Sequence, residues 1–135
     1  FDLRRLIECD LIERAAPNAA PADIEECKKH LDESEVAYAE GDVRRWGELN
    51  WAFHEALYRP AHRERSLNLS QMLNLNTDRY VRIQLSLEHA ALGRAMEDHQ
   101  GLLDAYEKGD GKLASKLLAK HLNGARDALV KAFKE

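Results

Sequence analysis

Apolar residues recur along this chain at three- and four-residue intervals, the spacing that lines one face of an α-helix. From Phe1 to about Ala16 the stripe is Leu3, Leu6, Ile7, Leu11 and Ala15, and it stops at Pro17-Asn18-Ala19-Ala20-Pro21. The second proline suits a helical N-terminus. A second helix then runs to about Glu40, burying Ile24, Cys27, Leu31, Ala37 and Tyr38. Gly41-Asp42 supplies a stop and a start: glycine takes the left-handed C′ position, and aspartate caps the free N–H groups that follow. The third helix, Val43 to about Tyr58, has its stripe through Val43, Trp46, Asn50, Phe53, His54 and Leu57 and ends at Arg59-Pro60-Ala61-His62.

The fourth helix is expected from about Arg63 to His89, with Leu69, Leu73, Ile83 and Leu87 inward and with Asn76 and Arg79 interrupting that face. Gly93 marks its junction with a fifth helix, which continues to Lys108 through Leu92, Met96, His99, Leu102, Leu103 and Tyr106. Gly109-Asp110 repeats the stop-and-start chemistry, and a sixth helix carries Ala114, Leu117, Leu118, His121, Ala125, Ala128 and Leu129. No stretch alternates with the period of a strand. The expected fold is all-α, a six-helix antiparallel bundle with short connections. The segment Ala37-Tyr38-Ala39-Glu40-Gly41-Asp42 is echoed by Ala105-Tyr106-Glu107-Lys108-Gly109-Asp110, and an inward histidine, His54 or His121, follows each. The echo puts those two histidines at similar depth from the same kind of hairpin.

Composition narrows the class. The 135 residues are 44% hydrophobic and 33% charged with 3 prolines and 7 glycines, which fits one helix-rich globular domain. Cys9 and Cys27 form no C-x-x-C pair and imply no disulfide framework, so a cytoplasmic setting is the expectation. No apolar run is long enough to span a membrane. Net charge is -4, and the 20 basic residues are spread along the chain, which argues against this segment gripping a phosphate backbone. Phe1 falls inside a helical pattern already under way, so a further segment is expected upstream.

Candidate chemistry lies in the histidines. His30, His62 and His89 read as surface or partly exposed side chains, whereas His54, His99 and His121 each sit mid-helix in an apolar stripe. Three imidazoles in one small core bring six ring nitrogens that must be satisfied. They are either separate hydrogen-bonded core residues or ligands of one divalent transition metal, with zinc, nickel, iron and manganese as the candidates. Asn50, one turn before His54, could add an amide oxygen. Other site chemistries lack their residues. No histidine has glutamate three positions earlier, as a di-iron bundle requires, and position 58 is tyrosine, so the zincin H-E-x-x-H is incomplete. There is no glycine-rich phosphate loop and no G-x-S-x-G elbow, so an enzyme is not the expected reading.

The segment Asn50-Trp51-Ala52-Phe53-His54-Glu55-Ala56-Leu57 is similar to the D/N-x-x-F-H-x-x-L signature of the FCD domain. That domain is the C-terminal effector-binding domain in the FadR branch of GntR transcription regulators. Arg4-Arg5-Leu6-Ile7-Glu8 resembles the family's opening R-x-x-L/I-E. His99 with Ala105 to Asp110 resembles its H-x-x-I/L-x-x-A-I/Y-x-x-G-D segment, and His121 resembles the histidine of its last helix. The resemblance covers essentially the whole chain. It implies a helical bundle that binds a small carboxylate effector and alters DNA binding by an N-terminal winged helix-turn-helix outside residues 1–135, in a homodimer. It also implies a divalent metal held by an aspartate and three histidines, positions that fall here on Asn50, His54, His99 and His121.

Position 50 departs from the many relatives that carry aspartate. A neutral amide is the weaker ligand and leaves the site one positive charge higher, which lowers metal affinity and favours an anionic effector. For that effector, Arg79 with Asn76 and Tyr80, and Gln84 nearby, is the expected contact, because a guanidinium pairs bidentately with a carboxylate; a salt bridge to a neighbouring helix is the other reading of Arg79. Arg4 and Glu8, one turn apart, are expected to pair locally or wall a cavity. A dimerisation module with neither metal nor ligand is the alternative to the sensor.

Overall fold

The computed structural model describes residues 1–87 and 89–134, and side chains outside positions 81, 84–92 and 134. Among the described residues six α-helices follow one another: α1 (Asp2–Ala15), α2 (Pro21–Glu40), α3 (Val43–Tyr58), α4 (Glu64–Leu87), α5 (His89–Glu107) and α6 (Gly111–Lys134). Single 3-10 turns occupy Ala16–Asn18 and Arg59–Ala61, where Pro17 and Pro60 interrupt the helical pattern. The all-α, six-helix expectation holds. Gly93 lies in the second turn of α5, near the junction as expected. The expected roles of Gln84, Leu87, His89 and Leu92 lie outside the described side chains.

Both Gly-Asp turns form as their residues dictate. Gly41 and Gly109 take left-handed φ angles of 71° and 72°, which glycine adopts without Cβ strain. The Asp42 and Asp110 side chains then accept from the Arg45 and Leu113 N–H groups at 3.1 and 3.0 Å, satisfying the first turns of α3 and α6. Across these turns α2 packs on α3 and α5 on α6, while α1 closes the bundle against α6. The α1–α6 approach depends on Gly111, where any Cβ would collide with the Glu13 carbonyl.

The main core joins α1, α3, α5 and α6 through Leu11, Ile12, Phe53, Leu57, Leu102, Leu118 and their neighbours. A smaller cluster around Ala37 and Trp46 lies against Met96. His54 and His99 are buried beside Phe53, with the Trp46 ring stacked on His99 at 6.1 Å between centroids.

Two faces depart from the expected stripes. On α1, Leu3 and Leu6 are exposed, and Arg4 and Glu8 are buried in line with Leu11, Ile12 and Ala15. The two charges can be inside because they pair with each other at 2.8 Å. On α4, Leu69 and Ile83 are more than 40% exposed, while Ser70 and Asn74 are buried and Thr77 is half-buried. The stripe through Leu69, Asn76 and Ile83 is therefore the outer face, and the inward face of this helix is polar.

Candidate metal centre

Three helices deliver one imidazole each to the same place: His54 from α3, His99 from α5 and His121 from α6. The ring centroids of His54 and His99 are 5.0 Å apart, those of His99 and His121 5.0 Å, and those of His54 and His121 5.8 Å. One ring nitrogen from each lies within 4.8 Å of the other two. The His54 and His99 Nε2 atoms are 3.2 Å apart. Two ligands of a tetrahedral zinc with bonds near 2.0 Å stand about 3.3 Å from each other, so this pair already has the spacing of ligands sharing one cation.

The outer nitrogens are held differently. His121 Nδ1 lies 2.8 Å from Asp98 Oδ2, a carboxylate–histidine pair at the protein surface. His54 Nδ1 lies 3.1 Å from the Tyr58 hydroxyl, which donates to Glu8 Oε1 at 2.6 Å. Arg4 Nε donates to the other Glu8 oxygen at 2.8 Å, and Arg4 Nη1 reaches Thr77 on α4 at 3.3 Å. Among the described residues, His99 Nδ1 is buried with no hydrogen-bond partner, and so is Asn50 Oδ1. Three closely opposed imidazole nitrogens are a donor set that a divalent cation satisfies, so the three histidines fit the metal their spacing suggested.

Burial holds the His54 imidazole well below its ordinary pKa, with His99, His121 and Arg4 adding to the effect. Burial and the nearby His121 do the same to His99. Both rings are thus neutral near pH 7, the form in which imidazole ligates metal. The Tyr58 hydroxyl is pushed far up by burial and then by the adjacent Glu8, so it stays protonated.

A cavity of about 410 Å³ opens beside the histidines, with His54, His121, Asn50, Arg4, Asn74 and Thr77 in its wall. The expected anion contacts are not there. Asn76, Arg79 and Tyr80 are exposed and do not line the cavity; Arg79 lies over the Tyr80 ring at 5.7 Å, and Tyr80 meets Phe133 edge-on at 5.9 Å. The reason is the turned face of α4: Asn74, Thr77 and Asp78 point inward, and residues 76, 79 and 80 follow them round to the outside. Arg4 is the buried guanidinium at the cavity, in the local pair with Glu8 that its spacing implied. Tyr58, Asp98, Asn74 and Thr77 were not singled out by the sequence reading. A signal for the last two existed in the polar run Ser70, Asn74, Thr77 at helical spacing.

A three-histidine cluster beside a cavity in a six-helix bundle defines a class. Residues 1–124 match the FCD domain family, and the chain belongs to it, as the FCD domain of a GntR-family transcription regulator of the FadR-like subfamily. That is a regulatory assignment and not an enzymatic one. The chain is 29% identical over 140 residues to the HTH-type transcriptional regulator LutR of Bacillus subtilis (strain 168), spanning 63% of that protein. Among solved structures it is similar to a GntR-family transcriptional regulator from Pseudomonas syringae pv. tomato str. DC3000. There the TM-score is 0.83 at 25% identity over 99% of this chain and 56% of the other. E. coli McbR/YncC shares the fold, with a TM-score of 0.87 at 20% identity over 97% of this chain and 66% of that one. Among the described residues no helix is long and apolar enough to cross a membrane.

Proposed function

We propose that residues 1–135 form the single effector-binding domain of a cytoplasmic regulator, in which a divalent metal and a small carboxylate are held side by side. The carrying observation is the trio of imidazole nitrogens within 4.8 Å of one another, two of whose rings, His54 and His121, line a cavity together with Arg4. His54, His99 and His121 would be the metal ligands, with Asn50 as the neutral fourth. A bound divalent cation would offer Lewis acidity and open positions to a carboxylate. Arg4 provides the second anion contact, taking the role that spacing had assigned to Arg79, Asn76 and Tyr80. Effector binding would be passed to DNA through an N-terminal winged helix-turn-helix outside these residues.

Metal analysis of the purified domain, with melting measured before and after chelation, tests the centre. The expected result is one divalent ion per chain and a lower melting temperature after its removal, because a ligand that binds only the folded state stabilises it. Absence of metal, together with no melting shift on adding zinc, nickel or manganese, would leave the dimerisation module as the reading. We also propose a homodimer, supported by the outer face of α4, where Leu69, Met72, Tyr80 and Ile83 are exposed. At about 100° per residue these four lie within about 80° of one another, one largely apolar face that Asn76 interrupts. Sedimentation of the protein and of Met72→Glu checks this: dimers are expected for the first and monomers for the second.

A further inference from the structure

We infer that Tyr58 and Glu8 are positioning residues that fix which nitrogen of His54 faces the histidine cluster. The inference follows from counting protons along one buried chain. Glu8 is fully buried and accepts twice, from Arg4 Nε at one oxygen and from the Tyr58 hydroxyl at the other. A phenol has one proton. Since Tyr58 gives it to Glu8 at 2.6 Å, its oxygen can meet His54 Nδ1 at 3.1 Å only as an acceptor. His54 therefore carries its proton on Nδ1, and the Nε2 lone pair points toward His99.

The same count fixes the neighbouring ring. With a lone pair on His54 Nε2, the 3.2 Å contact to His99 Nε2 needs its proton from His99, which leaves His99 Nδ1 as a bare acceptor. That atom is buried and without a partner. One chain of hydrogen bonds thus runs from Arg4 on α1 through Glu8, Tyr58 and His54 to an unsatisfied nitrogen on α5. Both Arg4 and His54 also border the cavity. The three histidines are oriented by unlike means: His121 by an exposed carboxylate, His54 by this buried relay, and His99 by ring packing.

The effect on metal binding rests on the metal-centre reading, whereas the His54 tautomer does not, and the test separates the two. The variant is Tyr58→Phe, which keeps the ring and removes the hydroxyl. Tyr106→Phe is the control, because Tyr106 is equally buried and its hydroxyl has no partner. Long-range proton–nitrogen spectra of the imidazoles are recorded on metal-free protein, and zinc affinity is measured by competition with a chelator. The expected result is Nδ1–H on His54 in the unsubstituted protein and in Tyr106→Phe, with that preference lost in Tyr58→Phe. Zinc affinity should fall about 10–100-fold in Tyr58→Phe alone, the usual effect of removing an outer partner of a ligating histidine. Nε2–H on His54 in the unsubstituted protein would overturn the inference, whether or not the variant folds. So would wild-type zinc affinity in Tyr58→Phe, or a loss of affinity with the tautomer unchanged, which would mark a packing effect. Should the unsubstituted domain bind no zinc, the metal centre falls and the tautomer alone decides the relay.

Discussion

Helices α3 and α4 both carry a clear apolar stripe, yet they turn it in opposite directions. On α3 the stripe through Trp46, Phe53 and Leu57 is buried, and His54 is carried inside with it. On α4 the stripe through Leu69, Met72 and Ile83 faces out, and Ser70, Asn74 and Thr77 face in. Periodicity says that a helix has two faces; what each face meets decides which is inside. α3 packs on α2, α4 and α1 and shares one apolar cluster with α5, whereas the inner side of α4 also looks onto the cavity and the Arg4 guanidinium, which need polar partners.

The sharpest way to break this comparison is to exchange arginines. We predict that Arg4→Ala destabilises the domain by about 3–5 kcal/mol, because it strands the buried Glu8 carboxylate without its cation. Arg79→Ala on the outside should leave the denaturation midpoint where it was. Equal effects would place Arg79 inside. Next in size are apolar truncations: Leu57→Ala is expected to lose about 2–5 kcal/mol in urea unfolding. Ile83→Ala, measured at concentrations where the chain is monomeric, should lose a small part of that.

Acid supplies a third test, directed at α3 and α5. His54 and His99 have pKa values lowered in the fold, so between the folded and unfolded values the unfolded chain binds more protons. Stability from the two rings is then complete above the ordinary histidine value near 6.5 and is lost as pH falls below it. The slope approaches about 1.4 kcal/mol per pH unit for each histidine while its folded form stays neutral. Melting of metal-free protein from pH 7.5 to 5 should show this fall, and a flat profile would mean that the rings are not held neutral. The smallest expected effect is on affinity: Asn50→Asp should tighten zinc binding about tenfold, equivalent to about 1.4 kcal/mol, by adding a carboxylate ligand. Unchanged or weaker binding would remove position 50 from the ligand set.

Much of this was legible before any coordinates. The Gly41-Asp42 and Gly109-Asp110 turns, the proline breaks and the helical stripes mark six helices, and the echo put His54 and His121 at similar depth; their ring centroids stand 5.8 Å apart. The three-histidine meeting could be read because each imidazole interrupts a stripe that is buried for independent reasons. Arg79 misled because its face on α4 looked like a core face with polar interruptions, and nothing local distinguishes that from an outer face with apolar ones. Tyr58 was silent for a different reason. Its hydroxyl matters only through Glu8, fifty positions earlier, and such a pairing has no period.

Gly111 carries one more consequence. Since the start of α6 rests directly on the Glu13 backbone, α1 is pinned near its C-terminal end by a contact with no side chain to yield. Arg4 lies toward the opposite end, and Glu8 near the middle, of a helix about 20 Å long. A tilt of α1 by about 5° about the Gly111 fulcrum would move its first residue, about 16 Å away, by roughly 1.4 Å, and the packing around Leu11 and Ile12 by only about 0.3 Å.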